Sequence, residues 1–202
     1  MTEEYECCHE AGHALVRVLI GDTLIAIRCC PSVSGDENTC HAATGRGTTD
    51  FRFKERRCNY CGRSVCNLTS DECYLRHGCR SDLVSDISLD PDCPDCTKYL
   101  TEHLAAIAAG GVATEILMGV SDRPHDSQCD LEEFNCFLEK FGGPSHRRVA
   151  IKKQAMDLAF KLINRERRAV LALTDALVST QGNLDGKEAE KVVRSNLTGA
   201  AA

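Results

Sequence analysis

The chain has 202 residues, enough for one large or two small domains, and its hydrophobic content of 43% supports a packed core. A formal charge of −6 offers no basic field for nucleic acid or an anionic membrane surface, and no apolar run approaches the ~18 residues of a membrane span. An acidic start that enters helical periodicity at once has no secretory character, so a soluble, cytoplasmic protein is expected.

Residues 3–20 form the first predicted helix, with Tyr5, Cys8, Leu15, Val16, Leu19 and Ile20 as its apolar stripe. It carries His9-Glu10-Ala11-Gly12-His13, a match to H-E-x-x-H. Residues four apart share a helix face, so His9 and His13 can present two imidazoles to one metal ion, and imidazole suits zinc. Glu10, next to His9, is within reach of a water at that metal as general base. Gly21-Asp22 ends the helix. Thr23 to Cys30 reads as a strand stopping before Pro31, and a second short strand near 39–44 could pair with it. The strand at 23–30 could also hold an extended substrate by adding it as a further strand.

Residues 51–96 are polar, poor in periodic pattern and rich in cysteine. Seven of the fourteen cysteines fall there, and in a reducing compartment clustered thiols bind metal more often than they pair. Cys58-x-x-Cys61 and Cys93-x-x-Cys96 stand at its two ends, and four such thiolates make a closed structural zinc site. Basic Arg52, Lys54, Arg56, Arg57 and Arg63 lie there with Phe51, Phe53 and Tyr60, but the acidic stretch 82–95 disfavours a nucleic-acid partner.

From Thr97 the pattern is helical through Leu117, with Gly119 as its C-terminal stop. Residues 120–128 read as a loop, and Leu131 to Phe141 as a helix closed by Gly142-Gly143-Pro144. Residues 146–179 are helical throughout, broken near Asn164, and Asp185 caps a last helix over 186–197. The expected fold is therefore mainly α, with a small strand pair and an inserted cysteine-rich module. Residues 1–50 and 97–198 make the domain and 51–96 the insertion.

A catalytic zinc needs three protein ligands and an open position. Val16 and Leu19 stand where an extended H-E-x-x-H-x-x-G-x-x-H motif needs Gly and His, so the third ligand lies farther along the chain. Asp130, in the first turn of a predicted helix, is one candidate, with Asp126 and Glu115 as alternatives.

Several blocks, in order, resemble the peptidase domain of the FtsH-type, membrane-bound ATP-dependent zinc metalloproteases. His9-Glu10-Ala11-Gly12-His13-Ala14-Leu15-Val16 is similar to that family's HEAGHALV. Gly110-Gly111-Val112-Ala113-Thr114-Glu115 is similar to its GGRAAE, and Ser127-Gln128-Cys129-Asp130-Leu131 to its ASNDL. The segment 180–188 resembles its closing ETLDGEE turn. The resemblance implies a helical zinc-metallopeptidase fold, zinc on His9, His13 and Asp130, and Glu10 as base. Glu115 would then support His9 or His13 by a hydrogen bond.

The sequence departs from that family in having no G-x-x-x-x-G-K-[ST] nucleotide loop and no membrane anchor, while 51–96 replaces a much shorter, cysteine-free connection. The expected activity is thus a zinc metalloendopeptidase acting on peptides or unfolded polypeptides without ATP. It would carry one catalytic zinc and one structural zinc, and a separate ATPase or a homo-oligomeric ring is a candidate partner. The alternative is a non-catalytic, metal-containing binding or adaptor module of the same fold.

Overall fold

The protein was analysed as a computed structural model, which describes residues 2–29, 48–52, 56–57, 64–65, 92–120 and 128–199. Among these, six α-helices dominate: α1 (Thr2–Ile20), α2 (Pro94–Met118), α3 (Gln128–Phe141), α4 (Ser145–Arg165), α5 (Arg167–Ser179) and α6 (Gly186–Asn196). Three strands, β1 (Thr23–Arg28), β2 (Thr48–Arg52) and β5 (Asn183–Asp185), form an antiparallel sheet in the order β2-β1-β5. Two-residue strands β3 (Arg56–Arg57) and β4 (Ser64–Val65) pair separately.

The mainly helical expectation holds, and so do several of its stops. Gly119 ends α2 in the left-handed conformation, φ 67°, its N–H bonded to the Glu115 carbonyl. The Asp185 side chain accepts from the Lys187 N–H at 2.9 Å, capping α6. The long helical run of the C-terminal half breaks at Glu166, two residues beyond Asn164. There the Glu166 carboxylate accepts from the Thr198 N–H and from Arg165 Nε, both at 2.6 Å, and ties the end of the chain to the α4–α5 junction.

The sheet departs from expectation. It has three strands rather than two, because β5, a segment of three residues, pairs with β1 across the return from α5. The partner on the other side is Thr48–Arg52. The segment near 39–44 lies outside the described residues. Thr-Thr-Asp-Phe-Arg carries one large apolar residue and gives almost no alternation to read. A register shift between Leu24 and Ala26 explains the loose periodicity of β1, for it lets Leu24 and Ile27, an odd number of residues apart, both face the core. With neighbours on both sides, β1 has no edge to offer, so it cannot be the strand that takes a further one.

Helix α1 is central. It packs on α2, α5 and the sheet, and it is buried on almost every face rather than along one stripe. Leu15, Val16, Leu100, Leu104, Ile163, Leu173 and Leu177 fill the space between the helices. The approach of α1 to α2 is close. A Cβ on Gly12 would stand 2.5 Å from the Ala109 carbonyl oxygen and 2.7 Å from the Ala113 methyl carbon. Small residues at this crossing are what let the two backbones meet.

Candidate metal centre

The α1–α2 crossing decides where the two histidines point. His9 and His13, one turn apart on α1, direct their Nε2 atoms to one spot, 3.0 Å from each other. Asp130, in the first turn of α3, brings Oδ2 to 3.0 Å from both nitrogens, although it lies more than a hundred residues away in sequence. Among the described residues this is the group whose geometry could hold a metal ion. Asp126, the other aspartate considered for the third position, lies outside them.

The donors suit a metal of the zinc type. Tetrahedral nitrogen and oxygen ligands at ~2.0–2.1 Å stand ~3.3 Å apart, within a few tenths of the observed triangle. Hydrogen bonds can serve the two nitrogen–oxygen edges but not the nitrogen–nitrogen edge as well. A cation uses the lone pairs of all three.

The surroundings orient the ligands. His13 Nδ1–H donates to the Ala106 carbonyl on α2 at 2.8 Å, which leaves Nε2 as the ligating nitrogen. His9 Nδ1 is buried with no partner among the described residues. Gly110 lies directly behind the two rings. A Cβ there would come to 2.6 Å from His9 Nε2 and 2.7 Å from His9 Cε1, and would also run into His13 Nε2. Glycine in mid-helix costs roughly 0.5–1 kcal/mol relative to alanine, and here it makes the room for both imidazoles.

Charge binds the same three side chains. Burial works to lower the His13 pKa, but the Asp130 charge and hydrogen bond, the Glu10 charge and the Ala106 carbonyl override it and push it up to about 9. For Asp130 burial favours the protonated form, yet the two imidazoles hold its carboxyl well below the usual carboxylate range. Glu10 is buried beside His9, and its Oε2 accepts from Thr49 Oγ1 of β2 at 2.6 Å.

The expected support from Glu115 is not formed among the described contacts. Glu115 is exposed, and the oxygen that holds His13 is a backbone carbonyl. Glu115 instead lines a cavity of about 190 Å³ whose wall includes Asp130 and whose interior is apolar, with Ile107, Val112, Phe134 and Met156. Cys93 and Cys96 are buried at the N-terminal end of α2, while Cys58 and Cys61 lie outside the described residues.

His103, which periodicity places only on a helix face, is buried and accepts at Nδ1 from the Arg17 guanidinium, 2.8 Å away. Burial first, and the Arg17 charge second, keep it neutral, its pKa well below the usual histidine value.

Sequence reasoning missed Thr49 and the purpose of Gly110. Nothing in a polar segment 39 residues from Glu10 marks Thr49. A glycine pair inside an apolar helix was a signal for Gly110, since such positions usually record a close approach.

No protein-family model matches the chain, and no curated protein is significantly similar to it. Among the described residues no helix is long and apolar enough to cross a membrane.

Proposed function

We propose that this chain is a zinc-dependent metalloendopeptidase of FtsH-like type, hydrolysing peptide bonds in unstructured polypeptides. The observation that carries the reading is the meeting of His9, His13 and Asp130 at 3.0 Å with the Glu10 carboxylate buried alongside. His9, His13 and Asp130 would hold the zinc. Zinc bound there would supply Lewis acidity, acidifying water and polarising the scissile carbonyl. Glu10 accepts the proton of the attacking water and returns it to the leaving amine. An extended substrate needs a strand edge, and β2, at the border of the sheet among the described residues, is the strand beside Glu10. The apolar cavity next to Asp130 suits an apolar side chain flanking the cleaved bond.

A structural zinc on Cys58, Cys61, Cys93 and Cys96 belongs to the same proposal. Replacing Cys58 and Cys61 together is expected to remove one zinc per chain and leave the other.

Metal analysis paired with a casein assay tests the reading. The purified chain is expected to bind zinc and cleave unfolded casein. Glu10→Gln should keep the zinc and lose the cleavage, because the amide has the carboxylate's shape and cannot take a proton. A zinc-loaded wild type that leaves casein intact would replace this reading with that of a metal-containing binding module.

A further inference from the structure

Strand β2 is anchored to α1 at two points on one face. Thr49 and Phe51 are two residues apart on the strand and so point the same way. The Phe51 ring centre lies 3.7 Å from the Arg17 guanidinium carbon. Arg17 is buried and fixed in turn by Asp22 at 3.2 Å and His103 at 2.8 Å. Glu10 and Arg17 are seven residues, about two turns, apart on α1, and therefore share a side of the helix. With Phe51 seated on Arg17, Thr49 comes to rest over Glu10. Its hydroxyl stands 2.6 Å from Glu10 Oε2 and 3.3 Å from the Glu10 carbonyl oxygen. A hydroxyl has one proton to donate, and the nearer, charged oxygen is the better acceptor.

We propose that Thr49 is a positioning residue for the general base: it holds Oε2 of Glu10, so that Oε1 is the oxygen left to take the proton. This rests on the reading of Glu10 as that base. A free glutamate has three side-chain torsions to settle, whereas threonine is β-branched and stiff at its first. A buried carboxylate also needs a donor, and Thr49 supplies one without adding a charge. Because Thr49 belongs to β2, the border strand among the described residues, the element that would receive the substrate also sets the orientation of the base.

The test compares Thr49→Val, which keeps the shape and removes the hydroxyl, with Thr49→Ser, which keeps the hydroxyl. Zinc content, kcat and KM on an unstructured fluorogenic peptide are measured for each. The 13Cδ resonance of Glu10, identified by its loss in Glu10→Gln, is recorded in the metal-stripped protein. Thr49→Val is expected to lower kcat about ten- to a hundredfold with zinc content unchanged, since misplacing a catalytic group costs that much. KM should change by less than about twofold, because the hydroxyl does not touch the substrate. Thr49→Ser should recover most of the lost kcat and return the Glu10 resonance that Thr49→Val displaces. Equal kcat in wild type and Thr49→Val, or a Glu10 resonance blind to the substitution, overturns the role alone. A zinc-loaded wild type that cleaves no peptide overturns the peptidase reading and the role with it.

Discussion

Gly110 illustrates how a single missing side chain shapes this site. The two imidazoles occupy the space that a methyl group would fill. Gly110→Ala should therefore push His9 and His13 out of register and weaken zinc binding by about a hundredfold, on the scale of losing a group that orients a ligand. Competition with a chromophoric chelator measures this, and unchanged affinity would mean that α2 can shift away at little cost.

His13 carries a second residue-scale prediction. Its pKa is raised from 6.5 to about 9, so its contribution to the metal-stripped fold is complete below 6.5 and is lost as pH rises through about 9. Asp130 is depressed from 3.8, so its contribution is present above that value and lost as pH falls. Without metal, the pair should stabilise the fold most between these two unperturbed values, 3.8 and 6.5. At pH 7 His13 is still protonated, and zinc must displace that proton. Zinc uptake is expected to release about one proton per chain from this residue. Calorimetry in buffers of different ionisation enthalpy reads it directly, and uptake without proton release would show that His13 is already neutral in the metal-stripped protein at pH 7.

At the scale of elements, the sheet depends on a buried cation. Arg17 faces Asp22, His103 and the ring of Phe51, linking α1 to α2 and β2. Arg17→Ala takes the guanidinium from all three at once and should destabilise the fold by about 3–5 kcal/mol, the range for breaking a buried pair from one side. Urea denaturation at neutral pH measures it, and a loss under about 1 kcal/mol would show that the network contributes little.

The elements were not equally legible. Helix α2 announces itself by Leu100, Leu104, Ile107 and Val112 at helical spacing, and α6 by Asp185 before it. Strand β2 does not, because Thr48, Thr49 and Asp50 carry no apolar alternation and its pairing is decided by what Phe51 meets on α1. The bulge in β1 blurs its period for the same reason: backbone irregularity follows contacts, and those lie outside the strand.

For the molecule as a whole, the prediction concerns energy. The 202 residues hold no G-x-x-x-x-G-K-[ST], so cleavage of unfolded polypeptides by this chain should need no ATP. Stable folded substrates should resist, since their cores are exposed only in the small unfolded fraction that their stability allows. Degradation of a stable protein and of its unfolded variant, with and without ATP, checks this. ATP-stimulated cleavage of the folded form by the chain alone would contradict it. Val149 and Phe160 are exposed on α4, and Leu171 and Val178 on α5, which makes these two helices the place to look for a neighbouring copy or a separate ATPase.

The sequence by itself determined the helices, the cap at Asp185, the stop at Gly119 and the pairing of His9 with His13. Each of these is set within a few residues by helical period, capping chemistry or four-residue spacing. Only the tertiary structure decided that Asp130 meets both imidazoles, that Gly110 stands behind them, that Thr49 reaches Glu10 and that β1 is enclosed by β2 and β5. Those contacts join residues far apart along the chain. Their energies come from packing α1 against α2 and β2, and α3 against α2, and no local pattern of side chains encodes which distant surface will arrive.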